Sequence, residues 1–217
     1  MHIPDGVLRP EVLAGGWILT AGGLAYGCYR YRPEDIPRTS LLTAAFACAS
    51  SIHVPIGPIP VHLVLNGLLG VFLGRQAVVA IFIGLGLQAI MIHHGGITSL
   101  GVNTVMIGFP AVILGGGFRW ALRGLRGGRI AASLLQGGLG FFLGGGAVLF
   151  SAVLASAAYA STGEGFYTPA KINLMAHLPV ALVEGIVCAI LVVSIGRSSF
   201  REYLWKEKNS GKGKNGT

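Results

Sequence analysis

TSLLTAAFACASSIHVPIGPIPVHLVLNGLLGVFLG, from Thr39 to Gly74, runs for 36 residues without a charged side chain. An uncharged apolar stretch longer than about 18 residues marks a membrane span, but Pro55, Pro58 and Pro60 near its middle forbid one continuous helix. The stretch therefore reads as a hairpin whose arms, Thr39 to Ile52 and Val61 to Gly74, are short helical spans. At a rise of 1.5 Å per residue each arm makes only about 21 Å of helix, short of the roughly 30 Å hydrocarbon core. The Pro-rich connection should then dip into the membrane, where irregular backbone is tolerated only if protein buries it or if it lines a polar cavity. His53 and His62 flank that connection.

Outward from this hairpin, charge divides the rest of the chain in the same way. A first span fits Val7 to Tyr29, and Arg30, Arg32 and Arg38 follow it; after Arg75 a span fits Ala77 to Ile92, and His93-His94-Gly95-Gly96 turns the chain into another, Val102 to Phe118. Arg119, Arg123, Arg126 and Arg129 form a second basic loop. Ile130 to Ala160 reads as one span, with Gly144-Gly145-Gly146 a break or a close helix contact. Ser161 to Lys171 reads as a loop and Asn173 to Ile195 as the last span. The expected fold is an all-α integral membrane protein of about seven transmembrane helices, with its N-terminus outside and its C-terminus in the cytoplasm. That orientation puts 14 of the 16 Lys and Arg residues on the cytoplasmic side, leaving Arg9 and Lys171 outside, as the positive-inside rule requires.

Composition agrees. Hydrophobic residues make up 53% of the chain and charged ones 11%, against roughly 25% charged in soluble domains. Residues 1–205 read as a single transmembrane domain and 206–217 as a polar, basic, disordered tail. The net charge of +8 sits in short clusters between apolar stretches, which suits cytoplasmic loops beside a lipid bilayer rather than a nucleic-acid surface. The expected location is the cell (inner or plasma) membrane, with multiple passes.

Under this topology all six histidines, His2, His53, His62, His93, His94 and His177, fall in the outer half or on the outer side. Ionisable groups in membranes usually mark a site or pathway, and imidazole is the commonest transition-metal ligand. The start of the chain sharpens this: a large residue at position 2 protects the initiator methionine, so Met1 is expected to keep a free amine. That amine and the His2 amide nitrogen close a five-membered chelate ring, and the amide and His2 Nδ1 close a six-membered one. Three coplanar nitrogens result, and one more imidazole completes a square suited to Ni(II) or Cu(II), with Co(II) able to adapt. Pro4-Asp5-Gly6 is a turn signal that folds the terminus back. His62 and His53 are the candidates for the fourth ligand, and Asn66, one helical turn beyond His62, is a candidate support. His94 and Asn103 either line the same pocket or cap spans.

His177 and Glu184 lie seven residues apart, two turns along one face of the last helix, and suit a proton-coupled or a structural role. The chain has no H-E-x-x-H helix, no G-x-S-x-G elbow and no phosphate-binding G-x-x-x-x-G-K-[ST] loop, so neither an enzyme nor an ATPase is expected.

Met1-His-Ile-Pro-Asp-Gly, Ser51-Ile-His-Val-Pro with Val61-His62-Leu, His94-Gly-Gly-Ile-Thr-Ser-Leu-Gly-Val-Asn103 and His177-Leu-Pro-Val-Ala-Leu-Val-Glu184-Gly resemble the CbiM/NikM family, the substrate-capture components of energy-coupling factor transporters for cobalt and nickel. The resemblance implies that Co(II) or Ni(II) is held by the Met1 amine, the amide and imidazole of His2, and His62. It also implies partners: a transmembrane coupling subunit, a pair of cytoplasmic ATP-binding cassette ATPases and a small accessory membrane subunit. Gly57-Pro-Ile-Pro-Val departs from the Gly-Thr-Ser-Gly-like run of many nickel-type members, so the choice of metal stays open. A stand-alone, ion-coupled metal carrier using His177 and Glu184 as a relay is the alternative.

Overall fold

The computed structural model describes residues 2–56, 59–123 and 129–196. In chain order these form α1 (Pro10–Cys28), α2 (Ile36–Ser51), β1 (His53–Ile56), β2 (Ile59–His62), α3 (Asn66–Leu73), α4 (Ala77–Met91), α5 (Leu100–Arg123), α6 (Arg129–Thr162) and α7 (Tyr167–Gly196), with short 3-10 turns before α2, α4 and α7. The expected disorder of the tail falls outside the described residues.

The described chain is nearly all helical, in keeping with the expected class, with one local exception. The Pro-rich connection is an antiparallel two-stranded hairpin in which His53 pairs with His62, Val54 with Val61, Pro55 with Pro60 and Ile56 with Ile59. A two-stranded ribbon has only edge strands, so its prolines, which cannot donate to a ladder, are tolerated there, and the β-branched pairs favour the extended form. The second arm is corrected. Val61 and His62 belong to the strand, Leu65 adopts φ 50°, and helix starts only at Asn66. The cause is tertiary. The buried Glu184 carboxylate on α7 accepts the N–H groups of Val64 and of Leu65, the latter at 2.8 and 2.9 Å, replacing the intrahelical partners these residues lack. Asn66 does not support His62, as its spacing suggested. Its amide donates to Ser151 Oγ at 2.8 Å and to the carbonyls of Ile107 and Ala147, tying the start of α3 between α5 and α6. Irregular backbone inside the bundle is thus satisfied by protein, the condition for its existence at membrane depth.

Among the described residues, four helical runs are long and apolar enough to cross a membrane, 66–91, Leu100–Ala121, Ser133–Thr162 and Glu164–Ser194, and α1 with α2, bent by 108°, makes a fifth candidate. The chain is a multi-pass membrane protein. The run 66–91 is not straight. Gly74, at φ 60° and ψ −126°, turns it, so that α3 lies along α5 in the same direction, with Gly70 on Ala111 and Gly115, while α4 returns, with Val78 on Gly108 and Gly86 on Leu100. A Cβ at Gly70 would overlap the Ala111 carbonyl, so only glycine permits this approach. α6 is one unbroken helix: Gly144 and Gly145 are not a break but the seam against Cys188 and Ala181 of α7. The loop expected from Ser161 to Lys171 shrinks to Gly163 and a 3-10 turn, since Pro169 and Lys171 lie in the opening turns of α7, where proline is compatible with helix.

Gly23 and Gly27 of α1 pack on Phe109 of α5 and on Val78 and Val79 of α4, while Ala21 and Ala25 face outward. The two ends of the bundle differ. At one, Arg30 and Arg75 lie over the Tyr29 ring, Arg38 donates to the Phe72 carbonyl and Gln76 bonds Asp35 at 2.7 Å. At the other lie the N-terminal strap, the loop between α4 and α5, and three histidines.

Candidate metal centre

Residues 2–9 precede α1 as a strap that folds back over the loop before α5. Pro4, Asp5 and the positive φ of Gly6, 81°, make the turn that the sequence signals. The strap is held by backbone recognition. Ile3, fully buried, donates its N–H to Asn103 Oδ1 at 2.9 Å and receives the Asn103 amide on its carbonyl at 3.0 Å, with Ser99 Oγ donating to the same carbonyl at 2.6 Å. Asn103 thus lies across Gly95 from His2. It clamps the residue next to His2.

Asp5 holds the other side of the strap. Its carboxylate accepts the N–H groups of Ile97 (3.1 Å) and Ser99 (3.0 Å) and the hydroxyl of Thr98 (2.6 Å), and a Cβ on Gly96 would overlap it. Burial pushes this carboxyl up, but the bonds from Thr98, Ser99 and Ile97 outweigh it, and the net displacement is below the ordinary carboxylate value.

So held, His2 meets His62 and His94. The ring nitrogens of the three lie within 4.8 Å of one another, His94 Nε2 is 2.8 Å from His2 Nδ1, and the ring centroids are 4.9 Å apart for His2 and His62 and 4.4 Å for His2 and His94. Nitrogens at about 2.1 Å from one ion stand about 3 Å apart when adjacent and about 4.2 Å when opposite. The cluster is thus close to the size of a single coordination sphere. His62, 3% exposed, has Nδ1 3.0 Å from the Leu63 carbonyl. That carbonyl can only accept, so Nδ1 carries the proton and Nε2 offers a lone pair, the usual arrangement of a metal-binding histidine. His94 is presented by a tight loop in which its own N–H donates to the Gln88 carbonyl at 3.2 Å and Gly95, at φ 79°, lies against His2 Cβ.

The remaining sequence candidates divide. Met1 lies outside the described residues. His53 is opposite His62 in the hairpin register, and its side chain lies outside the described part. Glu184 anchors the backbone just after His62, and His177 bonds the Asn173 carbonyl through Nδ1 at 2.7 Å; neither belongs to the three-histidine group.

Two outcomes are expected from the strap. Asn103→Ala strands the buried Ile3 N–H, which costs about 1–3 kcal/mol, and should lower metal affinity about tenfold or more by loosening a support of the cluster; thermal melts and nickel titrations read both, and an unchanged affinity would mean that the clamp does not set the site. For Asp5 the depressed folded value means that its contribution to stability is complete above the unfolded value of about 3.9 and is lost as pH falls through the lower, folded one. Trp17, whose indole N–H donates to the Thr98 carbonyl at 3.0 Å, should report strap release by fluorescence only below about pH 4, whereas Asp5→Asn should show the released signal at neutral pH.

A family model described as "Cobalt uptake substrate-specific transmembrane region" matches residues 2–201. A "Putative metal transport protein" of Haemophilus influenzae is 36% identical over 200 residues, covering 91% of this chain and 94% of its own. From Archaeoglobus fulgidus, a "Putative cobalt transport protein CbiM" is 30% identical over 88% of this chain and 93% of its own, and a "Putative fused nickel transport protein NikMN" is 30% identical over 88% of this chain and 64% of its own greater length. A crystal structure of a truncated transition metal transporter shares the fold, with a TM-score of 0.68 at 24% identity over 93% of this chain and 99% of that one.

Proposed function

Because this chain belongs to the CbiM family of substrate-specific transmembrane regions for cobalt uptake, we propose that it captures Co(II) or Ni(II) outside the cell for an ATP-driven energy-coupling factor transporter. The observation that carries this reading is the convergence of His2, His62 and His94 at one end of the bundle. In it the ion is held by the Met1 amine, the His2 amide nitrogen, His2 Nδ1 and His62 Nε2, with His94 beside them. Loading costs the amine, the amide and the His2–His94 hydrogen bond their protons, so binding weakens at acid pH.

In this reading the histidine end faces outward and the arginine-rich end, with the C-terminus, faces the cytoplasm, α3 being too short to cross the membrane alone. The chain carries no phosphate-binding loop in its sequence, which agrees with ATP hydrolysis by separate cytoplasmic ATPases joined through a transmembrane coupling subunit, with a small accessory membrane subunit. Proteoliposomes test the reading. Nickel or cobalt uptake should require the coupling subunit, the ATPases and ATP; uptake by this chain alone would turn the conclusion to an ion-coupled carrier.

A further inference from the structure

We propose that His177 is a further nitrogen ligand for the transported ion, on the buried flank of the His2, His62 and His94 cluster, taken up when the capture chelate opens. This rests on the capture reading above.

His177 is fully buried, at 0% exposure. Its Nδ1 lies 2.7 Å from the Asn173 carbonyl. The carbonyl only accepts, so Nδ1 bears the proton and Nε2 bears the lone pair. That Nε2 is buried and has no hydrogen-bond partner among the described residues. A buried acceptor without a donor carries its full desolvation cost, and helix packing alone would be served better by an apolar ring. His62 shows the same chemistry, with Nδ1 on a backbone carbonyl and Nε2 turned away from it. One ring nitrogen tied to a carbonyl and the other left as a donor is how proteins present histidine to a metal.

Its place in the fold is favourable. Glu184, on the same face of α7, accepts the N–H groups of Val64 and Leu65, just inward of His62. His177 stands seven residues earlier, about 10.5 Å back toward the histidine end, and α7 packs on β2, the strand that ends in His62. Burial then grades across four imidazoles: His94 and His2 are half-buried, His62 is 3% exposed and His177 is sealed. An ion released by the half-buried nitrogens toward the α7 side of the bundle meets His177, at about the level of His62, as a further neutral nitrogen donor of the same borderline class that suits Co(II) and Ni(II).

The test uses the complete transporter loaded with Co(II), with the native chain, which contains Cys28, Cys48 and Cys188, as the cysteine baseline. In His177→Cys, addition of ATP should bring up a transient thiolate-to-Co(II) charge-transfer absorption above that baseline, a signature that no packing role creates. In His177→Gln, release of preloaded cobalt after ATP should slow by at least about tenfold, the scale of losing a metal-ordering group. Ligand-field bands of the bound Co(II) before ATP establish that each variant folds and loads. Should the Cys variant fail to load, the release rate of the Gln variant decides. Normal release by His177→Gln together with no new band in His177→Cys overturns the proposal and leaves the capture reading intact. A native complex that never loads cobalt overturns the capture reading instead.

Discussion

Addition of one residue ahead of Met1 is expected to reduce nickel or cobalt affinity by about 10²- to 10⁴-fold, the usual gain when donors are joined on one chain. The proposed chelate depends on an amine one peptide bond from the His2 amide. An extra residue moves the amine out of the five-membered ring and converts the Met1 nitrogen to an amide. The imidazoles of His2, His62 and His94 remain together, so weak residual binding should survive. The strap is anchored through Ile3 and Asp5, beyond the altered atoms, and thermal stability should therefore stay near the native value. Equal affinity together with an unchanged ligand-field spectrum in native and extended chains would refute the terminal chelate; both readings are needed because the extended Xaa-Met-His terminus can ring an ion with its own amine and two amide nitrogens.

Loss of the fourth nitrogen should be nearly as severe. His62→Ala is expected to lower affinity by more than about 100-fold, since even outer groups that orient a ligand are worth 10- to 100-fold. His53→Ala should leave affinity near the native value. Sequence left the two histidines as alternatives; the hairpin sets them opposite each other, and among the described side chains His62 is the one of the pair within the cluster. Its carbonyl partner Leu63 and the Glu184 anchor two residues on hold its backbone, so the variant should still fold. Bound metal per protein and melting temperature, measured on the same samples, separate ligand loss from unfolding.

Much of the architecture was legible because it follows from solvation. Uncharged runs and clustered arginines mark membrane segments whatever their partners, and the helices formed within a few residues of the predicted spans, α6 as one piece. Retention of the Gly144 to Gly146 run inside a helix was open in sequence because glycine serves equally as a break and as a seam; the close approach of Cys188 and Ala181 decides it. The second arm of the Pro-rich hairpin was misjudged because apolar composition cannot distinguish a short helix from buried extended chain. What distinguishes them is whether another element satisfies the backbone, and Glu184, 120 residues away from Val64, does so.

The site divides along the same line. The order of donor atoms in Met1-His2 is covalent, so sequence alone determined that a terminal chelate could form and which class of metal it would suit. Charge asymmetry also assigned each histidine an expected side of the membrane. Only the tertiary structure decided which of them meet. It placed His94 2.8 Å from His2, revealed Asn103 as a clamp on Ile3, and turned His62 out of a helix into the end of a strand. Those outcomes depend on hydrogen bonds between residues about 90 to 120 positions apart, whose pairing no local pattern encodes.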